Sequence, residues 1–350
     1  MVIELLQQLV SIPSVSGGEA ELASFLANHL DEQGFKVAME GNNLAFSVGS
    51  GGAPLIFNAH IDTVEPSENW EHDPYSAEKK DGRVYGIGAS DNKASVAALV
   101  AAAERLKEHD LVQEVVFTFV TKEETDGSGT QTMLDWLDDE YDLEDAAAVV
   151  TEPTDLAWMA TGCRGTCFIS LTVEAEGGHA SKQLQNPIEE LYRIYGDVTD
   201  LLARGEEQDP KVTMTSIHAS ESPNTIPATA EAVFDVRTVP GMTAGNVRAA
   251  FEEAVSGVDA SVTFAADPCP PGVCRDEAFI ELVQDASGIT ETRMSPASND
   301  SCFFTAQNIP AVVLGPGFRD VIHQPDEFVE TEKVKKAVET FTSIAAAWCA

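Results

Sequence analysis

The sequence predicts an α/β protein: a mostly parallel sheet covered by helices, interrupted by an inserted ferredoxin-like α+β unit. Three observations lead there. Residues 1–160 alternate helical patterns with short apolar runs, which argues for a parallel, helix-covered sheet. From Thr166 the order becomes βαββαβ, the signature of a ferredoxin-like unit. After CPPGVCRDEAF the first pattern returns. The expected domains are therefore residues 1–162 with 271–350, and residues 163–270, and a length of 350 residues is comfortable for two.

In the first domain, helices are expected at about 2–11 and 18–33 and strands at 36–39, 43–48 and 54–59, with Gly34, Gly41 and Gly49–Gly52 as punctuation. The run PLIFNA leads into His60, EVVFTFVT into Glu123 and Glu124, and AAAVV into Glu152. Between the first two runs lies SVAALVAAAERLKEH, an Ala-rich helix beginning just after Asp91. In the insertion, strands TCFISLTVEAE, KVTMTSIHA, TAEAVFDVRTV and ASVTFAA frame helices PIEELYRIYGDVTDLLA and AGNVRAAFEEAV. The returning segment supplies helix AFIELVQDA, strand AVVLGPG and a last helix near 331–349.

Composition removes several classes of function. No run approaches the ~18 apolar residues that a membrane helix needs. The opening MVIELLQQLVSIPSVSGGEAE carries Glu4 inside its apolar pattern and has no basic start, so it reads as an amphipathic helix rather than a signal peptide, and a cytoplasmic location is expected. Fifty-eight acidic against 21 basic residues give a formal net charge of −37, which repels nucleic acid and anionic lipid. The acids are spread among regular apolar patterns rather than gathered in blocks, which points to a folded protein from a high-salt cytoplasm rather than a disordered one. Cys163, Cys167, Cys269, Cys274, Cys302 and Cys349 lack the spacing of a zinc knuckle and are expected as buried thiols outside any disulfide. Gly86-Ile87-Gly88 lacks the third glycine and the preceding strand of a dinucleotide loop.

Chemistry gathers at strand ends. His60, Asp91, Glu124, Glu152 and His323 each follow a strand or open a helix, and in an open α/β sheet the carboxyl ends of the strands form the ligand crevice. Two imidazoles and three carboxylates suit zinc, cobalt or manganese. With one carboxylate bridging, five ligands can serve two divalent cations, and Asp91 is the natural bridge. Asp62 lies two residues beyond His60 and can hydrogen-bond the imidazole from behind. Adjacent Glu123 and Glu124 diverge in an extended chain, so one can bind metal while the other, Glu123, serves as general base, moving a proton from the attacking water to the leaving nitrogen. Each residue alone is unremarkable in so acidic a chain. A purely structural metal would favour four Cys or His ligands with no spare base.

The ordered motifs LVSIPSVSGGE, NAHIDTV, YGIGASDNK, TKEETDGSGT, VVTEPT, GGHAS, PNTIPATAEAVFDVRTVPG, ASNDSCFF and VIHQPDEFV cover essentially the whole chain. They resemble the two-metal aminoacylase and carboxypeptidase family, which includes succinyl-diaminopimelate desuccinylase, acetylornithine deacetylase and glutamate carboxypeptidases. The resemblance implies one metal on His60, Asp91 and Glu152 and another on Asp91, Glu124 and His323, with Glu123 as base and Asp62 as orienting residue. It also implies that the insertion is a lid and dimerisation domain; an active site between two domains further predicts open and closed forms, with hinges near Thr161–Gly165 and Asp267–Gly272. His179 of GGHAS would stabilise the oxyanion in the neighbouring subunit's site, and Arg237 and Asn224 would face substrate. The chain departs from the family pattern at Ile87, where many relatives carry arginine, and at Lys93-Ala94, where Lys-Gly is frequent. The expected activity is removal of an acyl group from an N-acyl amino acid, of the acetylornithine deacetylase or succinyl-diaminopimelate desuccinylase type. A dipeptidase or carboxypeptidase with the same metals is the alternative, and a non-catalytic binding protein is disfavoured because every expected group is present.

Overall fold

Runs of β-branched and aromatic residues with no polar alternation need cover on both faces, and parallel strands receive it from their crossover helices. In the computed structural model, which describes residues 1–205, 209–219 and 222–350, the runs Leu55–His60, Val115–Val120 and Ala147–Val150 are buried along their whole length. They lie side by side and parallel, Leu55–His60 in the middle, with Phe57 opposite Phe117 on one side and Val149 on the other. Ala311–Val313 continues the parallel arrangement beyond Ala147–Val150.

The edges are antiparallel. Asn43–Val48 pairs with Val115–Val120, Ala38–Glu40 with Asn43–Val48, and Met159–Cys163 with Ala311–Val313. Among the described residues these seven strands, with Gly272–Val273 and Thr292–Ser295, make a nine-stranded sheet, parallel through its centre. The Ala-rich helix Lys93–Leu106 packs against Val2–Ser11 and Thr331–Trp348, its small side chains permitting close approach. Phe57 stacks on Phe117 at 5.5 Å and meets Phe341 of the last helix at 5.6 Å, which joins the sheet to its helical cover.

By contacts the chain divides into one unit of Met1–Gly162, Val273–Ser295 and Asn299–Ala350, and a second of Cys163–Gly272 with Pro296–Ser298. The second unit contains an antiparallel sheet in which Lys211–His218, Thr229–Thr238, Gly165–Glu174 and Ala260–Phe264 follow one another in space. Alternate residues of Gly165–Glu174 and Thr229–Thr238 are buried, as one covered face requires. Helices Pro187–Leu202 and Ala244–Ala254 provide the cover, the first capped by Asn186 ahead of Pro187 and the second by a capping box between Thr243 and Asn246. Element order and strand order are those of a ferredoxin-like unit.

Several elements have no counterpart in the sequence reading: helix Ser128–Glu140, strands Met159–Cys163 and Thr292–Ser295, and a small sheet of Lys79–Lys80, Arg83–Tyr85 and Phe328–Glu330. All the cysteines lie outside disulfides, and every one except Cys269 is buried. Among the described residues no helix is long and apolar enough to cross a membrane.

Candidate active site

The parallel register decides where the polar side chains go. His60 ends its strand opposite Val120, and Asn58 lies opposite Val150, so the segments that follow all three strands emerge at one edge of the sheet. They carry His60 and Asp62, Glu123 and Glu124, and Glu152. Asp91 arrives from the turn before the Lys93–Leu106 helix, and His323 from the turn before the Phe328–Glu330 strand.

These side chains meet. His60 Nε2 is 3.1 Å from Asp91 Oδ1 and 3.8 Å from Glu152 Oε1, while His323 Nε2 is 2.9 Å from Glu124 Oε1 and 3.5 Å from Asp91 Oδ2. Asp91 thus touches both imidazoles. Ligand atoms of His60, Glu123 and Glu152 lie within 4.8 Å of one another, as do those of His60, Asp91 and Glu124. Neighbouring Glu123 and Glu124 therefore enter different groups, though not from an extended chain: they sit in a turn entered through Lys122 at φ 61°.

Asp62 is completely buried and does more than back the histidine. The nearer partner of His60 Nδ1 is the backbone oxygen of Asp62 at 3.1 Å, with the carboxylate at 3.5 Å. An Nδ1–H donating to that oxygen leaves the Nε2 lone pair facing Asp91, where it could ligate a cation. The Asp62 carboxylate accepts from Ser16 Oγ at 2.6 Å and from the backbone N–H groups of Glu123 and Glu124 at 3.1 and 3.2 Å, so it pins the turn that carries both glutamates.

Crowding sets the electrostatics. Burial works against a charged His60, but hydrogen bonds with Asp62 and Asp91 outweigh it and hold its pKa well above the ordinary value. Hydrogen bonds with Asp91 and Glu124 push His323 up to about 10. Asp91 is depressed, its two imidazole partners overcoming burial. Glu123 and Glu152 are raised well above the carboxylate range, first by burial and then by neighbouring acids, and Glu124 is raised for the same reasons. Glu152 Oε1 is buried with no hydrogen-bond partner. A mixed nitrogen and oxygen donor set, an orphaned carboxylate oxygen and carboxylates held back from ionising by one another together fit divalent cations.

Three further charged residues, Asp300, Glu327 and Lys93, are buried in the ASNDSCFF, VIHQPDEFV and YGIGASDNK motifs, and the sequence alone assigns none of them a role. Asp300, at the N-cap of helix Ser301–Ala306, makes no cap bond; its Oδ2 accepts instead from Thr130 Oγ1 at 2.6 Å and Asn58 Nδ2 at 3.2 Å, and burial pushes it up to about 6. Glu327 is buried and pushed up to about 8. Lys93, lowered to about 7 by burial, donates to the backbone oxygen of Ile12 at 2.8 Å. The Gly86–Gly88 turn packs instead of cradling phosphate: at Gly88, with φ +79°, a Cβ would fall 2.7 Å from Thr63 Cγ2.

The remaining predicted residues belong to the second unit. His179 is exposed, with Nδ1 2.8 Å from Ser181 Oγ, on a short ladder that pairs it with Thr225; Ala180 N donates to Asn224 O at 2.9 Å, so the GGHAS and PNTIP motifs form one structure. Arg237 Nη2 donates to Asp235 Oδ2 at 3.0 Å and Nη1 to Thr166 Oγ1 at 2.9 Å, while Nε lies 2.9 Å from Asp235 Oδ1 as an ion pair.

The Peptidase M20 family model, described as peptidase family M20/M25/M40, matches residues 56–347. The chain belongs to this peptidase family. It is accordingly a hydrolase of amide or peptide bonds. Its fold is similar to that of a tripeptidase from Staphylococcus aureus, with a TM-score of 0.81, 20% identity and 98% and 96% of the two chains covered. It is also similar to an M20 family metallo-carboxypeptidase from Sulfolobus solfataricus, with a TM-score of 0.78, 17% identity and 99% of each chain covered. A dinuclear metal-binding M20 peptidase from Bacillus subtilis matches at a TM-score of 0.75 and 18% identity, covering 99% of this chain and 97% of that one.

Proposed function

We propose that this M20 peptidase is an amidohydrolase that removes the acyl group from a small N-acyl amino acid, of the acetylornithine deacetylase or succinyl-diaminopimelate desuccinylase type. The observation that carries the reaction is the division of the adjacent acids: Glu123 groups with His60 and Glu152, while Glu124 pairs with His323.

His60, Asp91 and Glu152 would hold one divalent cation and Asp91, Glu124 and His323 the other, with zinc favoured by the donors and cobalt or manganese as substitutes. When bound, such ions polarise the amide carbonyl and make water acidic near neutral pH. Glu123 takes the proton of the attacking water and passes it to the leaving nitrogen; its raised pKa suits a group that must hold that proton in between. Asp62 keeps Glu123 in place through the backbone. His179, contributed by a second subunit, donates to the developing oxyanion, and Arg237 and Asn224 contact the substrate's amino-acid end, with the Arg237 N–H groups not given to Asp235 and Thr166 available to a carboxylate.

The second unit is assigned the lid and dimerisation roles. Ile188, Tyr192 and Leu201 on helix Pro187–Leu202 and Ile217 on the edge strand Lys211–His218 are exposed apolar residues that a homodimer would cover. A cytoplasmic, high-salt setting with no nucleic-acid or membrane partner accords with the net charge of −37. A dipeptidase or carboxypeptidase activity is the second reading, favoured because the similar structures carry peptidase names.

The test is hydrolysis of N-acetyl, N-succinyl and dipeptide substrates in molar KCl with added zinc, cobalt or manganese, comparing the parent with Glu123→Ala. Cleavage of N-acyl amino acids that falls at least about a hundredfold in the variant, with metal content unchanged, supports the reading. Cleavage of dipeptides alone selects the second reading, and no cleavage by protein holding two metals defeats both.

A further inference from the structure

A buried carboxylate that ligates nothing needs another purpose, and Glu327 has one in its contacts. It is 1% exposed, and its Oε1 accepts from the backbone N–H groups of both Ser90 and Asp91, at 2.8 and 3.0 Å. The attachment continues around it. The Glu327 backbone oxygen accepts from Gly86 N at 2.9 Å, Ser90 Oγ donates to the Phe328 oxygen at 2.7 Å, and Ser90 Oγ in turn accepts from Phe318 N at 3.0 Å. Phe328–Glu330 pairs with Arg83–Tyr85, which lead into the same turn. The segment from Gly86 to Asp91 is thereby tied to the segment that begins at His323, four residues before Glu327.

We infer that Glu327 is a positioning residue for Asp91: by holding two consecutive backbone N–H groups on one oxygen, it fixes the carboxylate that touches both His60 and His323. The inference rests on the two-cation reading of the preceding subsection. A short side chain on an irregular turn has its direction set by the local backbone, and here that backbone has neither helix nor strand to hold it. The side chain of Glu327 supplies the missing anchor, and it does so from the same loop that delivers the other cluster's histidine. Both halves of the site are thus built against one reference point.

An anchor that served folding alone would lower stability when removed and leave cation affinity as it was. The positioning role predicts the reverse emphasis. Zinc affinity of the full-length protein, measured by chelator competition, is compared among the parent, Glu327→Ala, Glu327→Asp and Glu327→Gln, with cobalt absorption spectra and metal-free melting curves recorded alongside. Removing a group that orients a ligand costs about 10–100-fold in metal affinity, and Glu327→Ala is expected to show that loss with an altered cobalt spectrum. Glu327→Asp, too short to meet both N–H groups, is expected to match it and serves should the alanine variant not fold. Glu327→Gln keeps an acceptor oxygen and is expected to stay within a few-fold of the parent, a rescue that a role by charge alone would not give. Unchanged affinity and cobalt spectrum in a folded Glu327→Ala or Glu327→Asp protein overturn the positioning role while leaving the two-cation reading intact. A parent protein that binds no zinc overturns both.

Discussion

Replacing Asp300 with asparagine removes one buried charge and keeps the side chain's shape, and the structure sets what that charge costs. Its Oδ2 accepts from Thr130 Oγ1 at 2.6 Å and Asn58 Nδ2 at 3.2 Å, yet burial pushes the carboxyl from 3.8 up to about 6. A rise of about two pKa units, at about 1.4 kcal/mol each, makes ionisation inside the fold unfavourable by about 3 kcal/mol. Because the native state holds this proton more tightly than the unfolded chain, the stabilisation is complete below about pH 4 and is lost as pH rises through 6. The amide oxygen of asparagine can accept the same two hydrogen bonds with no charge to bury. Relative to the parent, Asp300→Asn therefore gains about 3 kcal/mol between pH 4 and pH 7. Urea unfolding of metal-free protein at fixed ionic strength reads this as midpoints that separate across that window. Midpoints that stay equally spaced from pH 4 to pH 7 refute the assignment of the raised pKa to Asp300.

Chelation is expected to lower the melting temperature, since a cation at a hundredfold excess over its dissociation constant stabilises the native state by about 2.7 kcal/mol; thermal denaturation with and without a chelator measures the change, and coincident curves count against a cation at His60 and His323. Lowering salt is expected to unfold the chain, because a net charge of −37 repels itself over a longer screening length, and molar KCl should restore it. Circular dichroism across a KCl series decides this, with a flat series excluding a salt requirement.

What the sequence made legible was whatever local pattern dictates. Leu55–His60, Val115–Val120 and Ala147–Val150 stand out because full burial demands unbroken apolar runs, and once they are parallel neighbours the meeting of His60, Glu124 and Glu152 follows from strand direction alone. Met159–Cys163 was not legible: MATGC has no alternation, and its pairing with Ala311–Val313 depends on a partner some 150 residues away. Helix Ser128–Glu140 was hidden for a different reason, since its first turn is Ser-Gly-Thr-Gln, with Gly127 at φ 64° before it. Thr130, on that turn, consequently could not be seen as a partner of Asp300. The backbone role of Asp62 was likewise invisible, because it needs a turn at Lys122 where an extended chain was the natural expectation.

Topology also explains why acids so close together differ in their electrostatics. Strands about 4.8 Å apart place the residues beyond their ends within reach of one another, so acids on neighbouring strands must share one buried space. What separates them is their access to imidazole. Asp91 touches both histidines and is the one member of Asp91, Glu123, Glu124 and Glu152 whose pKa is lowered. Glu124 lies 2.9 Å from His323 Nε2, which partly offsets burial and the repulsion of Asp91. Glu152 has His60 Nε2 at 3.8 Å, whereas Glu123, among the described residues, forms no ion pair with either imidazole. Glu123 and Glu152 are both raised well above the ordinary carboxylate range, and under the proposed mechanism the raised pKa of Glu123 suits a base that must take a proton and release it again. Its neighbour Glu124, already paired with His323, is better suited to stay ionised and bind a cation.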